Sequence, residues 1–162
     1  MKKIPLTRGR EAIVDDDMYT YLNQWKWYAT PMRGGTHEYS FYAARNSKKV
    51  NGKRSAIRMH RLIVNARPGQ FVDHINGDGL DNRISNLRIC TQQQNNFNAR
   101  PRRDNKYSKY KGVRFVKAIS KWLAAIKVDG VEIRLGYFAE EVEAHNAYKE
   151  ASKEYHGVFG RI

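Results

Sequence analysis

Near the C-terminal end, the stretch "KWLAAIKVDGVEIRLGYF" sets the tightest limit on what this chain can fold into. Two strand-like runs flank Asp129-Gly130, a pair suited to the positive φ angles of a two-residue hairpin turn. A third run of the same kind, "KYKGVRFVK", precedes them. The next stretch, "AEEVEAHNAYKEASKEYHG", changes to helical spacing. Val142, Ala147, Tyr148 and Ala151 can share one face, acids occupy the first turn and Gly157 ends it. The spacing predicts a three-stranded antiparallel sheet packed on one helix over residues 108–162. Residues 1–66 read as a small β region. "WKWYAT" and "EYSFYAARN" are aromatic and partly alternating, and Asn51-Gly52 is a hairpin signal. "HRLIVNA" is too short for periodicity to decide between helix and strand. The fold class expected is α+β.

Lys and Arg total 30 against 16 Asp and Glu, a net charge of +14, and the excess is spread along the chain rather than confined to a tail. That balance points to a polyanionic partner lying along much of the protein, as a nucleic-acid duplex would. The single cysteine, Cys90, excludes a disulfide framework and a CxxC zinc site, fits a reducing cytoplasm, and is expected in the core. No apolar run is long enough to span a bilayer, and the basic N-terminus lacks the apolar segment of a signal peptide.

The chemistry concentrates in "FVDHINGDGLDNRISNLRICTQQQNN", Phe71 to Asn96. It reads as strand, turn, strand and a helix opened by Thr91, one compact unit over residues 67–99. Cleaving a phosphodiester requires a hard-cation site with oxygen ligands, a base near neutral pH, and a polar group that fixes that base. Asp73 and His74 open the stretch, and the helix can return Asn95 or Asn96 towards them. Neighbours on a regular strand point to opposite faces, so these two can cooperate only if the strand ends or twists there; "NGDG" supplies such a break. Asn76, Asn82 and Asn96 are expected as turn or capping residues. His60, in "MHRLI", reads as a satisfied structural histidine, with a supporting or phosphate role as the alternative. His37, His145 and His156 carry no signal.

The pattern "DHINGD…DNRISNLRICT…QNN" resembles the HNH nuclease family, in particular the homing endonucleases of phages and bacteria, and residues 1–66 resemble the N-terminal part of that branch. The resemblance implies His74 as general base, Asp73 as a metal ligand, Asn86 as the residue that holds the loop and orients the base, and Asn95 as the ligand from the helix. The third letter of the motif is Asn rather than His here. An amide oxygen is a hard, neutral ligand, so the implied cofactor is one divalent cation, magnesium, with manganese as the alternative.

"ARPRRDNKYS" reads as a basic linker, centred on residues 100–107, whose Arg100, Arg102 and Arg103 are expected near phosphates. Beyond it, "YKGVR", "KWLAAIKV", "IRLGYF" and "EVEAHNAY" resemble the DNA-binding domain of plant ethylene-response factors, the Apetala type. That resemblance implies a sheet laid in the major groove, with Lys111, Arg114, Lys127 and Arg134 at contact positions and Lys121 on a phosphate. Val116, Ala125 and Glu132 depart from the plant pattern, so the plant target sequence is not expected. Trp122, Tyr137 and Phe138 are expected to pack the sheet on the helix. The implied protein is a site-specific endonuclease acting on double-stranded DNA, as a monomer or a DNA-induced dimer, in the cytoplasm of a bacterial or phage-infected cell. A DNA-binding regulator with a decayed nuclease unit is the alternative. An RNA-binding sheet would carry exposed aromatics where this one is basic.

Overall fold

The computed structural model describes residues 1–32, 41–100 and 108–161 and is mixed α+β. Its internal contacts divide the chain into two compact units, Met1–Gln92 and Gln93–Ile162.

The first unit is assembled from three small antiparallel sheets. Strands β1 (Lys2–Pro5) and β2 (Glu11–Val14) pair with Ile4 opposite Ala12. Helix α1 (Asp16–Leu22) follows, with Asp16 and Asp17 in its first turn, where the helix dipole favours acids. Strands β3 (Tyr28–Pro31), β4 (Phe41–Asn46) and β5 (Ala56–Arg58) form a sheet in that order, with β4 central. Asn51 and Gly52, both at positive φ, make the tight turn anticipated between Val50 and Lys53. "HRLIVNA" resolves as a helix: α2 spans Met59–Ile63. Strands β6 (Phe71–His74) and β7 (Leu87–Cys90) pair with Asp73 directly opposite Arg88. The core is Ile4, Ala12, Val14, Leu22, Trp27, Ala43, Met59 and Leu80. Leu80 belongs to the loop after β6, so that loop is anchored in the core and not merely laid over it.

In the second unit, helix α3 spans Gln92–Phe97 and starts one residue before the division. Strands β8 (Val113–Val116), β9 (Lys121–Val128) and β10 (Val131–Phe138) form an antiparallel sheet with β9 central, and Asp129-Gly130 is its tight turn. Helix α4 (Glu141–His156) packs on one face. It opens with a reciprocal capping box between Glu140 and Glu143. Its inward face is Ala144, Tyr148, Ala151 and Ser152. Val142, expected on that face, is 55% exposed, because 3.6 residues per turn set it on the far side of the helix from Ala151. Trp122 and Phe138 pack towards α4 as expected. Tyr137 points away, since a bulge between Arg134 and Gly136 shifts the register and sets it opposite Leu123 on the other face. Gly112 crosses the Tyr148 ring so closely that a Cβ would collide with it.

The division falls inside α3, upstream of the linker expected at 100–107. Within the second unit Phe97 stacks on His156 with ring centroids 3.7 Å apart. Lys111 donates to the carbonyls of Asn96 and Phe97 at 3.0 and 2.6 Å. Among the described residues, no helix is long and apolar enough to cross a membrane.

Candidate active site

Strand β6 ends at His74, whose carbonyl accepts from Gly77 N–H at 2.8 Å, so the chain turns away immediately after the Asp-His pair. The two side chains keep different company. The Asp73 carboxylate is buried, and its Oδ2 accepts from Arg88 Nε and Nη2 at 2.8 and 2.6 Å across the β6–β7 pair. The His74 ring lies against two others. Tyr42 of β4 stacks on it at 5.8 Å and 29°, and His60 of α2 meets it edge-on at 4.9 Å and 79°.

Burial lowers the His74 pKa below the usual imidazole value; a hydrogen bond with the Asn82 side chain and the charges of Asp73, Asp78 and Asp81 pull the other way. At neutral pH the ring is therefore a neutral imidazole, the form that accepts a proton. His60 is more strongly affected. Burial first, then His74, Arg58 and Arg61, push it down to about 3. The Tyr42 hydroxyl is raised, chiefly by burial.

The loop from Ile75 to Asn86 is stitched by its own polar side chains. Asn86 Oδ1 accepts from Asn76 N–H at 3.0 Å. Asn86 Nδ2 donates to Asn76 Oδ1 at 3.0 Å and to the Asp81 carbonyl at 2.8 Å. Asn76 Nδ2 donates to Asp81 Oδ2 at 2.9 Å, and Arg83 forks onto both Asp81 oxygens at 2.8 and 2.6 Å, which holds that carboxyl below its usual range. The assembly is tied to β2 by Ile13 N–H to Leu80 O at 2.9 Å and Asn82 N–H to Ile13 O at 2.8 Å. Most of the asparagines therefore do turn work, as expected. Asn82, however, is fully buried and also reaches His74.

Asp73, His74 and Asn86 thus share one small region of the first unit, while Asn95 lies half-buried on α3 in the second. Asn96 on the same helix is exposed. Cys90 is buried, with its thiol pushed up by burial, as expected of a core residue. His60 corrects the reading of a satisfied structural histidine: its buried Nδ1 has no hydrogen-bond partner among the described residues, and its ring is part of the cluster around His74. Tyr42 carried no signal, since it precedes His74 by a long stretch of sequence and looks like any strand aromatic. His145 and His156 are packing residues, stacked on Tyr110 and Phe97.

In the second unit, Arg114, Lys121, Lys127 and Arg134 are all exposed, and alternation along the strands puts them on the face away from α4. Arg114 is forked on Glu132 at 2.9 and 3.3 Å. Lys111 departs from its expected place on DNA. It is turned into the carbonyls at the C-terminal end of α3, and burial lowers it to about 8. Arg100 is exposed; Arg102, Arg103 and His37 lie outside the described residues.

Residues 58–97 match the HNH endonuclease family. The segment holds Asp73, His74, Asn86 and Asn95, and also His60. Over 158 residues the chain is 27% identical to an uncharacterized HNH endonuclease of Acanthamoeba polyphaga mimivirus, covering 94% of this chain and 74% of that protein. No solved structure matches. The likeness to nucleases thus rests on this segment and on the viral relative.

Proposed function

We propose that this protein is a metal-dependent, site-specific DNA endonuclease of the homing type. The observation that supports it most is His74: a buried, neutral imidazole beside the Asp73 carboxylate, at the end of a strand inside the HNH segment. His74 takes a proton from the attacking water as the water oxygen bonds to phosphorus and the P–O3′ bond breaks; the O3′ oxyanion takes a proton from solvent, leaving a 3′-hydroxyl and a 5′-phosphate. Asn86 keeps the loop that follows His74 in one conformation.

The donor chemistry suits a hard cation. Among the described residues no three His, Cys, Asp or Glu side chains gather into a metal cage. Magnesium and manganese need less, since magnesium typically takes one or two protein carboxylates and fills its shell with substrate phosphate oxygens and water. Asp73 would hold the ion, with Asn95 as the second ligand on the strength of the sequence resemblance. The bound ion would supply positive charge against the negative charge that develops on the phosphoryl oxygens. Arg114, Lys121, Lys127 and Arg134, on a sheet of the ethylene-response-factor kind, would dock double-stranded DNA.

The test is cleavage of a randomised plasmid library with magnesium, with an EDTA control. Wild type should nick or linearise a subset of sites, and His74→Ala should bind the selected DNA as well as wild type yet cut it at least 10²-fold more slowly. A His74→Ala protein that cuts at the wild-type rate removes the base assignment. A wild-type protein that binds but cuts nothing across the library indicates a regulator.

A further inference from the structure

We propose that Tyr42 and His60 are positioning residues for His74, forming a cage of flat rings that fixes the orientation of its imidazole. The inference rests on the reading of His74 as the base. Three rings from three separate elements meet pairwise: Tyr42–His74 at 5.8 Å, His60–His74 at 4.9 Å and Tyr42–His60 at 4.8 Å. The two contacts on His74 are of different kinds. Tyr42 lies along its face and restrains tilt; His60 meets it at 79° and restrains rotation about the side-chain bond. An imidazole swings about a broad, two-fold terminal torsion, so neighbours rather than intrinsic preference must set its plane.

The cage is itself held. The Arg58 guanidinium lies over the Tyr42 ring, 5.2 Å from its centroid. On another side, the loop after β6 comes so close that a Cβ at Gly79 would collide with the Phe41 carbonyl oxygen and the Tyr42 ring. The loop stapled by Asn86 therefore rests on the residue that stacks on the base. Tyr42 lies outside residues 58–97, so the working unit extends beyond the HNH segment into the N-terminal sheet.

A displacement of about 1 Å in a reacting group can cost on the order of 10²-fold in rate. The experiment measures single-turnover cleavage by the full-length protein, with magnesium, on a DNA selected for wild-type cutting. DNA affinity and the His74 ring C–H proton resonances are recorded in parallel. Tyr42→Phe and His60→Phe keep a flat ring and should cut within about 3-fold of wild type. Tyr42→Ala and His60→Ala should lose about 10²-fold in rate with DNA affinity unchanged, and Tyr42→Ala should shift the His74 resonance out of the tyrosine ring current. Should the alanine variants unfold, Tyr42→Leu and His60→Leu keep the volume without the flat ring and should show the same split. Removal of either ring with less than a 3-fold loss overturns the cage, as do phenylalanine variants that lose as much as the alanine ones. A wild-type rate in His74→Ala would instead remove the base reading while the ring-current shift still reported the packing.

Discussion

Replacing Asn86 by Ala should destabilise the first unit by about 3 kcal/mol, from three hydrogen bonds at a net 0.5–1.5 kcal/mol each. The side chain accepts from Asn76 N–H and donates to Asn76 Oδ1 and to the Asp81 carbonyl. Its loss leaves a backbone donor and a backbone acceptor without those partners in a region where water has poor access. Asn86→Asp is the sharper probe. It has almost the same shape and keeps the acceptor for Asn76 N–H, but sets a carboxylate oxygen against the Asp81 carbonyl and Asn76 Oδ1. It should therefore cost at least as much as Ala, although it looks conservative. Trp25 and Trp27 report on the first unit and Trp122 on the second, so urea unfolding followed by tryptophan fluorescence in a Trp122→Phe background reads the right transition. The midpoint should fall with little change in slope. A loss below about 1 kcal/mol for Ala, or an Asp variant as stable as wild type, would mean that Asn86 does not hold the loop through these bonds.

Acid should weaken the first unit through its buried histidines. The folded pKa of His60, about 3, lies below the unfolded value near 6.5, so the unfolded chain binds more protons between those limits. Stability is complete above about pH 6.5 and falls by about 1.4 kcal/mol per pH unit below it, so His60 alone accounts for about 2 kcal/mol at pH 5. His74 adds loss in the same direction, and unfolding of His60→Phe at pH 7 and pH 5 should show a smaller pH effect than wild type. On the sheet, Lys127→Ala and Arg134→Ala should weaken binding across sequences and each reduce the salt dependence of log affinity by about one, measured by fluorescence anisotropy from 50 to 200 mM salt.

The second unit was legible because its signals are local. A turn dipeptide, three alternating runs and a capped helix each state their own conformation, and the sheet on one helix is their simplest joint solution. Two side chains there differ from expectation: Tyr137, turned outward by a bulge, and Val142, which 3.6 residues per turn set on the far side of α4 from Ala151. Lys111 was misplaced for another reason. No pattern in "YKGVR" shows that a helix end upstream needs a cation on its free carbonyls. Around the candidate site, the closeness of the Asp-His pair to Asn86 could be read because the strand-turn-strand spacing is short. The places of Tyr42 and His60 beside His74 could not, since they come from tertiary packing between β4, α2 and the end of β6, which periodicity does not encode.

The end of α3 has a consequence for anyone who would exchange the parts of this protein. Phe97 closes the HNH segment in sequence, yet it is stacked on His156, its carbonyl accepts from Lys111, and the same carbonyl takes Arg161 N–H at 3.2 Å. A chimera that joins a foreign binding module after Ala99 would carry away a helix end stripped of its stacking partner and of both donors. The workable crossover lies ahead of Gln93, so a functional graft would have to bring its own version of the helix that the nuclease motif counts as its last element.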